Sequence, residues 1–231
     1  HNNYLIDPAQ DEEDVLVIGE EESSVVTFSP SIFTPLTKRC INQCGYCSFN
    51  AQDTLSVPYS TIKEGKRARE KGIRSIQYVA GESPDHFPEI RATLDLWGFS
   101  SYGEYLYNVC ELGFLEGLIP VLEIGALSKV DLEKVTEIIG GVKVMLDTVH
   151  AKAYHDVYPK SPGKHIEKRL NMLQLTGKEG IPTFTGLMVG IGENVGHRRD
   201  VLGVIAKLHK LFGHIHEVSI QNFVPQPGTP F

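Results

Sequence analysis

A chain of 231 residues, 41% hydrophobic and 22% charged, holds enough apolar material for one ordinary globular core. Its net charge of -7 argues against nucleic acid or an anionic membrane as a partner, no apolar run reaches the roughly 18 residues of a membrane span, and no charged-then-apolar signal peptide opens it. The expectation is a cytoplasmic protein of one domain, and the clustering of its cysteines fits a reducing compartment.

Residues 1–24 are acidic, with Asp11-Glu12-Glu13-Asp14 and Glu20-Glu21-Glu22 flanking Val15-Leu16-Val17-Ile18. They read as a solvated extension with one packed segment, leaving 25–231 as the core. The chain begins without Met and stops at Phe231 after Pro227-Gly228-Thr229-Pro230, so a trimmed sequence is expected. From residue 25 onward short apolar runs alternate with longer amphipathic ones. Strands are predicted at 32–36, 75–79, 119–124, 142–146, 183–189 and 217–222, and helices at 60–71, 102–112, 129–139, 166–179 and 198–212. Gly72, Gly113, Gly140, Gly180 and Gly213 are read as closing the helices. This alternation predicts an α/β fold with a parallel sheet and right-handed crossovers. No G-x-G-x-x-G follows the first strand, and each notable motif follows or ends a strand, where parallel barrels collect their chemistry. A partial, six-stranded (βα)6 TIM-like barrel is therefore expected.

Behind the first strand, Cys40-Ile41-Asn42-Gln43-Cys44-Gly45-Tyr46-Cys47 holds three of the four cysteines. Cysteines at i, i+4 and i+7 on one loop can turn three thiolates toward a single centre, with Gly45 allowing the tight path. A cubane of four irons would then keep one iron open to a ligand from outside the protein. The same spacing also marks one face of a buried helix, a reading opposed by Gly45 and by polar Lys38, Asn42 and Gln43. A structural zinc would need a fourth ligand, whereas Cys110 is remote and His86 sits alone. A non-enzymatic iron-sulfur electron carrier would normally use four cysteines.

Later positions carry weaker signals. Ala80-Gly81-Glu82-Ser83-Pro84 reads as a strand-to-loop turn or as acceptors for a buried cation. Glu123 and Asp147 end strands three and four, as ligand-facing acids or as helix caps. Arg169 is an exposed helix arginine or a fork for a carboxylate. His150, His155, His214 and His216 show no metal spacing and read as caps or surface groups. Tyr154 and Tyr158 are placed at the mouth of the barrel, and Cys110 in the core.

Cys-x3-Cys-x2-Cys with Tyr46 before the last cysteine resembles the cluster loop of the radical S-adenosylmethionine (SAM) enzymes. Within that superfamily, the sequence around it and the stretch from Ile220-Gln221-Asn222-Phe223-Val224-Pro225 to Pro230 resemble the CofG-type subunit of FO synthase, over residues 26–231. The resemblance implies a radical SAM core with a 4Fe-4S cluster on Cys40, Cys44 and Cys47, the open iron being chelated by SAM. It implies that Gly81 and Glu82 meet the methionyl ammonium, that Glu123 and Asp147 hold ribose hydroxyls or the amino-acid part, and that Arg169 meets the carboxylate. Gly186-Leu187-Met188-Val189-Gly190-Ile191-Gly192-Glu193 is similar to the superfamily's Gly-x-Ile-x-Gly-x-x-Glu motif. By that likeness the adenine lies against Met188 and Val189, Glu193 pins the loop, and Tyr46, Asn222 and Val224 complete the cofactor contacts. Glu123-Ile124-Gly125 and Asp147 depart from the Asn-Pro-Gly and Glu usual in that type.

The activity implied is reductive cleavage of SAM to a 5'-deoxyadenosyl radical and cyclisation of a tyrosine/5-amino-6-ribitylaminouracil adduct to FO, with loss of ammonia. The implied partners are a CofH-type FO synthase subunit 2 that supplies this small-molecule substrate, and an electron donor such as ferredoxin or flavodoxin. A radical SAM enzyme of the menaquinone, thiamine or biotin-synthase type would share the SAM motifs.

Overall fold

The alternating runs become a six-stranded parallel sheet with helices between the strands in the computed structural model, which describes residues 28–49 and 51–229. The acidic stretch 1–24 lies outside the described residues. The strands are β1 (Ser31–Thr37), β2 (Ser75–Ala80), β3 (Ile119–Glu123), β4 (Gly141–Lys143), β5 (Thr183–Val189) and β6 (Ile215–Asn222). Each pairs in parallel with the next, in the order β1-β2-β3-β4-β5-β6. Crossovers carry α1 (Pro58–Glu70), α2 (Pro88–Leu96), α3 (Tyr102–Leu115), α4 (Lys129–Val135), α5 (Ala151–Val157), α6 (Ile166–Lys178) and α7 (Val195–Phe212). Sequential parallel order with helical crossovers is the (βα)6 partial barrel expected. Pro35 sits in β1, which among the described residues pairs only with β2, the edge position that tolerates a missing N–H. No helix among the described residues is long and apolar enough to cross a membrane.

Strand alternation sorts the two faces. Ile76, Tyr78, Leu122, Val142 and Val144 are buried in the main core with Leu106, Val109 and Cys110 of α3, Leu173 of α6 and Leu208 of α7. Val79, Glu123, Lys143, Met145, Asp147 and Met188 instead line a cavity inside the barrel. On α3, Tyr105, Leu106, Val109 and Cys110 are all fully buried, a stripe at i, i+1, i+4 and i+5 in which each large apolar side chain contributes roughly 1.5–3 kcal/mol.

Four expectations change. Gly113 does not end α3, which continues to Leu115 and turns at Gly117 with φ 74°. Gly113 is small because a Cβ there would overlap the Tyr78 hydroxyl, which donates to Val109 O at 2.8 Å. Helix α4 ends at Val135, short of residue 139. Regular β4 stops at Lys143, yet pairing with β5 resumes through Val144 N to Phe184 O (2.9 Å) and Asp147 N to Gly186 O (3.0 Å). The bend leaves Asp147 in the left-handed region at φ 63°. His214, expected as a cap or surface group, is buried with Nε2 2.9 Å from Leu173 O, and burial holds its pKa below the usual value against that bond.

Gly113 and Gly203 make a matched test, because a Cβ at Gly203 meets no atom within 4 Å. Gly113→Ala is expected to destabilise by about 1–3 kcal/mol through overpacking, and Gly203→Ala in α7 to stabilise by about 0.5–1 kcal/mol. Urea unfolding checks both; a neutral Gly113→Ala would refute the close-packing account.

Candidate active site

The cysteine loop is tied down at both its origin and its crest. As β1 ends, the Asp53 carboxylate accepts from Thr37 Oγ1 (2.7 Å) and Lys38 N (3.0 and 2.9 Å). The loop then crosses the end of β2, where Gly81 N donates to Thr37 O (2.9 Å) and Ile41 N to Glu82 O (3.1 Å). A Cβ on Gly81 would overlap the Arg39 carbonyl and the Cys40 side chain, so the approach requires glycine.

All three loop cysteines line one cavity of about 250 Å³. Cys40 Sγ accepts from Glu82 N (3.1 Å) and Asn42 N (3.4 Å), Cys47 Sγ from Phe49 N (3.4 Å) and Cys44 Sγ from Ser161 Oγ (3.4 Å). Donors on sulfur favour the thiolate that binds a metal. Burial pushes the Cys40 thiol up, and it pushes Cys44 up to about 11 against the pull of Lys164 and Ser161, so metal binding at neutral pH must expel protons. Among the described residues no three His, Cys, Asp or Glu groups could share one metal ion. A cubane puts each thiolate on its own iron, so it needs three cysteines around one space, as on this cavity wall. The donor set therefore fits a three-thiolate cluster.

Beside the cysteines, Glu82 and Arg169 are buried against each other, their side chains 5% and 4% exposed and 2.5 Å apart. Asn42 Nδ2 also donates to Glu82 Oε2 (2.8 Å), Ala126 N to Oε1 (3.2 Å), and Asn42 Oδ1 accepts from Gly163 N (2.7 Å). The arginine Nε is buried without a partner. Arg169 is thus no exposed helix residue.

On the strand side, Glu123 pairs with Lys143 (3.6 Å) and accepts from Gln77; burial raises its pKa against the pull of Lys143 and Lys164. Asp147 Oδ2 receives Lys164 Nζ (2.7 Å) and the Tyr158 hydroxyl (3.1 Å), while its Oδ1 is buried unpartnered. Lys164, Asn42, Lys143 and Ser161 carry no sequence signal for a site, because each is defined by a partner far along the chain. Tyr158 is buried beneath Asp147 instead of standing at the mouth. Tyr46 packs edge-on against Tyr158 and Phe223, at ring distances of 6.0 and 5.3 Å.

The cavity wall brings together Cys40, Cys44, Cys47, Tyr46, Gly81, Glu82, Glu123, Asp147, Arg169 and Met188. Gly186, Val189, Gly190, Glu193, Asn222 and Val224 stand off it. Gly186 is needed where β5 meets β6, since a Cβ would overlap the Ser219 carbonyl. Gly190 has φ 98°, and its N–H donates to Glu193 at 2.9 Å. Glu193 also takes Ile191 N (2.8 Å) and Arg198 (2.7 Å). Burial alone would raise its pKa, but these donors outweigh it and hold the carboxylate at about 2. Asn222 and Val224 are exposed.

Over 213 residues the chain is 37% identical to a 7,8-didemethyl-8-hydroxy-5-deazariboflavin synthase of Methanococcoides burtonii, covering 89% of this chain and 63% of that protein. Over 209 residues it is 34% identical to the synthase of the same description from Methanothermobacter thermautotrophicus, covering 89% and 64%. The chain thus spans just under two-thirds of the length of these relatives. Among solved structures it is similar to the FeFe-hydrogenase maturase HydG of Carboxydothermus hydrogenoformans, with TM-score 0.71 and 25% identity over 88% of this chain and 47% of that one. On fold alone it is similar to Streptococcus suis SuiB bound to S-adenosylmethionine, with TM-score 0.64 and 13% identity over 88% and 43%. It is likewise similar to the radical SAM methyltransferase TsrM of Kitasatospora setae with cobalamin and a 4Fe-4S cluster bound, with TM-score 0.56 and 14% identity over 87% and 35%. No family profile matches the chain.

Arg169→Met leaves the Glu82 charge buried without its guanidinium and is expected to cost about 3–5 kcal/mol, with part recovered in Arg169→Met/Glu82→Gln. Urea titration of the two variants checks this; an additive double mutant would rule out the pair. Glu193 is depressed from the usual glutamate pKa near 4.3, so its contribution is present above that pH and lost as pH falls through about 2. Glu193→Gln should therefore be less stable than the parent at pH 7, with a gap that closes below pH ~4; a pH-independent gap in thermal melts would contradict the assignment.

Proposed function

We propose that this chain, a homologue of the 7,8-didemethyl-8-hydroxy-5-deazariboflavin synthases built on the radical SAM barrel, is a radical SAM lyase of deazaflavin coenzyme biosynthesis. Its reaction is cyclisation of the tyrosine/5-amino-6-ribitylaminouracil adduct to FO with loss of ammonia. The observation that carries this reading is the placement of three cysteines from one loop on the wall of a single cavity behind parallel strands. Residues 25–231 are the catalytic core in this reading, and 1–24 a solvated acidic extension. A CofH-type subunit supplies the substrate and a ferredoxin or flavodoxin the electron, in the cytoplasm.

Cys40, Cys44 and Cys47 hold the 4Fe-4S centre, which when bound supplies the one-electron chemistry that cleaves SAM to methionine and a 5'-deoxyadenosyl radical. The chain's own groups bind and orient. Glu82 and Arg169, paired with each other, present a carboxylate and a guanidinium that can exchange partners with the ammonium and carboxylate of an amino-acid zwitterion. Asp147 offers its unpartnered Oδ1 to a hydroxyl, and Glu123 with Lys143 forms a second polar end for a ligand carrying a polyol. Val79, Met145 and Met188 on the cavity wall give an apolar surface for a flat ring and exclude water that would quench a radical. Glu193, bonded to Gly190 and Ile191, sets the loop beside Tyr46 and Phe223 where adenine is placed, with Asn222 and Val224 at its rim.

The test has two arms. Protein reconstituted anaerobically should carry about four irons, lose them in Cys40→Ala, Cys44→Ala or Cys47→Ala, and keep them in Cys110→Ala; equal loss with Cys110→Ala would overturn the three-ligand centre. Mixed with a CofH-type partner, tyrosine, 5-amino-6-ribitylaminouracil, SAM and dithionite, it should form 5'-deoxyadenosine and fluorescent FO. Deoxyadenosine without FO, beside a partner of proven activity, would retain the enzyme class and refute the deazaflavin product.

A further inference from the structure

Residues 160–163, in the turn between α5 and α6, make three hydrogen bonds to the cysteine loop. Gln43 N donates to Lys160 O (3.1 Å), Ser161 Oγ to Cys44 Sγ (3.4 Å) and Gly163 N to Asn42 Oδ1 (2.7 Å). At its end Lys164 lines the same cavity as the three cysteines. Its side chain is 17% exposed and its Nζ lies 2.7 Å from Asp147, itself 2% exposed. A buried ion pair of this kind is weak evidence for stability, since desolvation offsets most of the attraction. Its charge, however, is little screened by water. The Lys164 cation and the three cysteines therefore share the wall of one cavity.

We propose that Ser161 and Lys164 tune the three-cysteine centre: the Ser161 hydroxyl on the Cys44 sulfur and the Lys164 ammonium, anchored by Asp147, make a cluster bound there easier to reduce. The inference rests on the reading of Cys40, Cys44 and Cys47 as cluster ligands. An added electron makes such a centre more negative, so a fixed cation and a donor aimed at sulfur stabilise the reduced form more than the oxidised one. Asp147 opposes this effect while it holds the lysine in place. The two members of the ion pair should therefore shift the potential in opposite directions, which a merely structural role would not produce.

The experiment is an EPR-monitored redox titration of the full chain after anaerobic loading with iron and sulfide, without SAM or substrate. Lys164→Met and Ser161→Ala should move the midpoint to more negative potential, Lys164→Arg should stay near the parent, and Asp147→Asn should move it to more positive potential. If Lys164→Met fails to fold with Asp147 left buried and unpaired, Lys164→Gln removes the charge while keeping a donor to Asp147, and should shift the same way. Unchanged midpoints in both Lys164→Gln and Ser161→Ala, at parental iron content, would overturn the inference alone. A parent chain that takes up no iron would overturn the cluster reading beneath it, and the inference with it.

Discussion

The buried carboxylate of Glu82 is where four separated stretches of chain meet. It follows β2 and accepts from Asn42 in the cysteine loop, from Arg169 in α6 and from Ala126 after β3. A carboxylate out of water without these donors is costly, so the stretches must settle together. Sterics narrow the arrangement further, since a Cβ on Gly125 or Gly163 would overlap the same carboxylate. The path of the cysteine loop, and with it the placement of three cysteines, thus depends on a group reached only when the barrel has closed around it.

The cavity walls repeat one electrostatic device. Glu82 with Arg169, Glu123 with Lys143 and Asp147 with Lys164 are three acid–base pairs around one space. Pairing leaves the lining close to neutral while keeping charges in place for a ligand to engage, and the pocket avoids the uncompensated charge that low dielectric penalises. Apolar Val79, Met145 and Met188 separate the pairs, so a ligand with charged ends and a flat middle meets matched surfaces. Glu193 belongs to a different economy: its carboxylate is spent on its own loop and on Arg198.

The loop is also clamped from the far end of the sheet. After β6, Phe223 N bonds Val189 O (2.7 Å) and Gln226 N bonds Tyr46 O (3.0 Å), so the chain beyond the last strand runs back to the first loop. Tyr46 lies between Phe223 and Tyr158, joining that return to the buried phenol on Asp147. The cysteine loop, which belongs to no helix or strand, is thereby held by three neighbours: the end of β2, the turn at 160–164 and the return after β6.

Six strands and most of their helices were legible because alternation and amphipathic spacing are local properties of the backbone, present before any contact forms. The cysteine spacing was legible for the same reason, a loop of eight residues being able to gather three thiolates unaided. Gly113 was misread as a helix end because the Tyr78 hydroxyl that requires it comes from β2. The early stop of β4 and the left-handed turn at Asp147 left no trace in a run of apolar residues that reads as uninterrupted strand. Which charges would be buried, and against which partners, was decided only by the folded barrel. Lys164 and Ser161 look like ordinary turn residues until Asp147 and Cys44 arrive beside them. By itself the sequence determined the elements, their order and the three-thiol loop. The tertiary structure decided the charge pairing around that loop, because the energy of a buried charge depends on a partner that only long-range packing supplies.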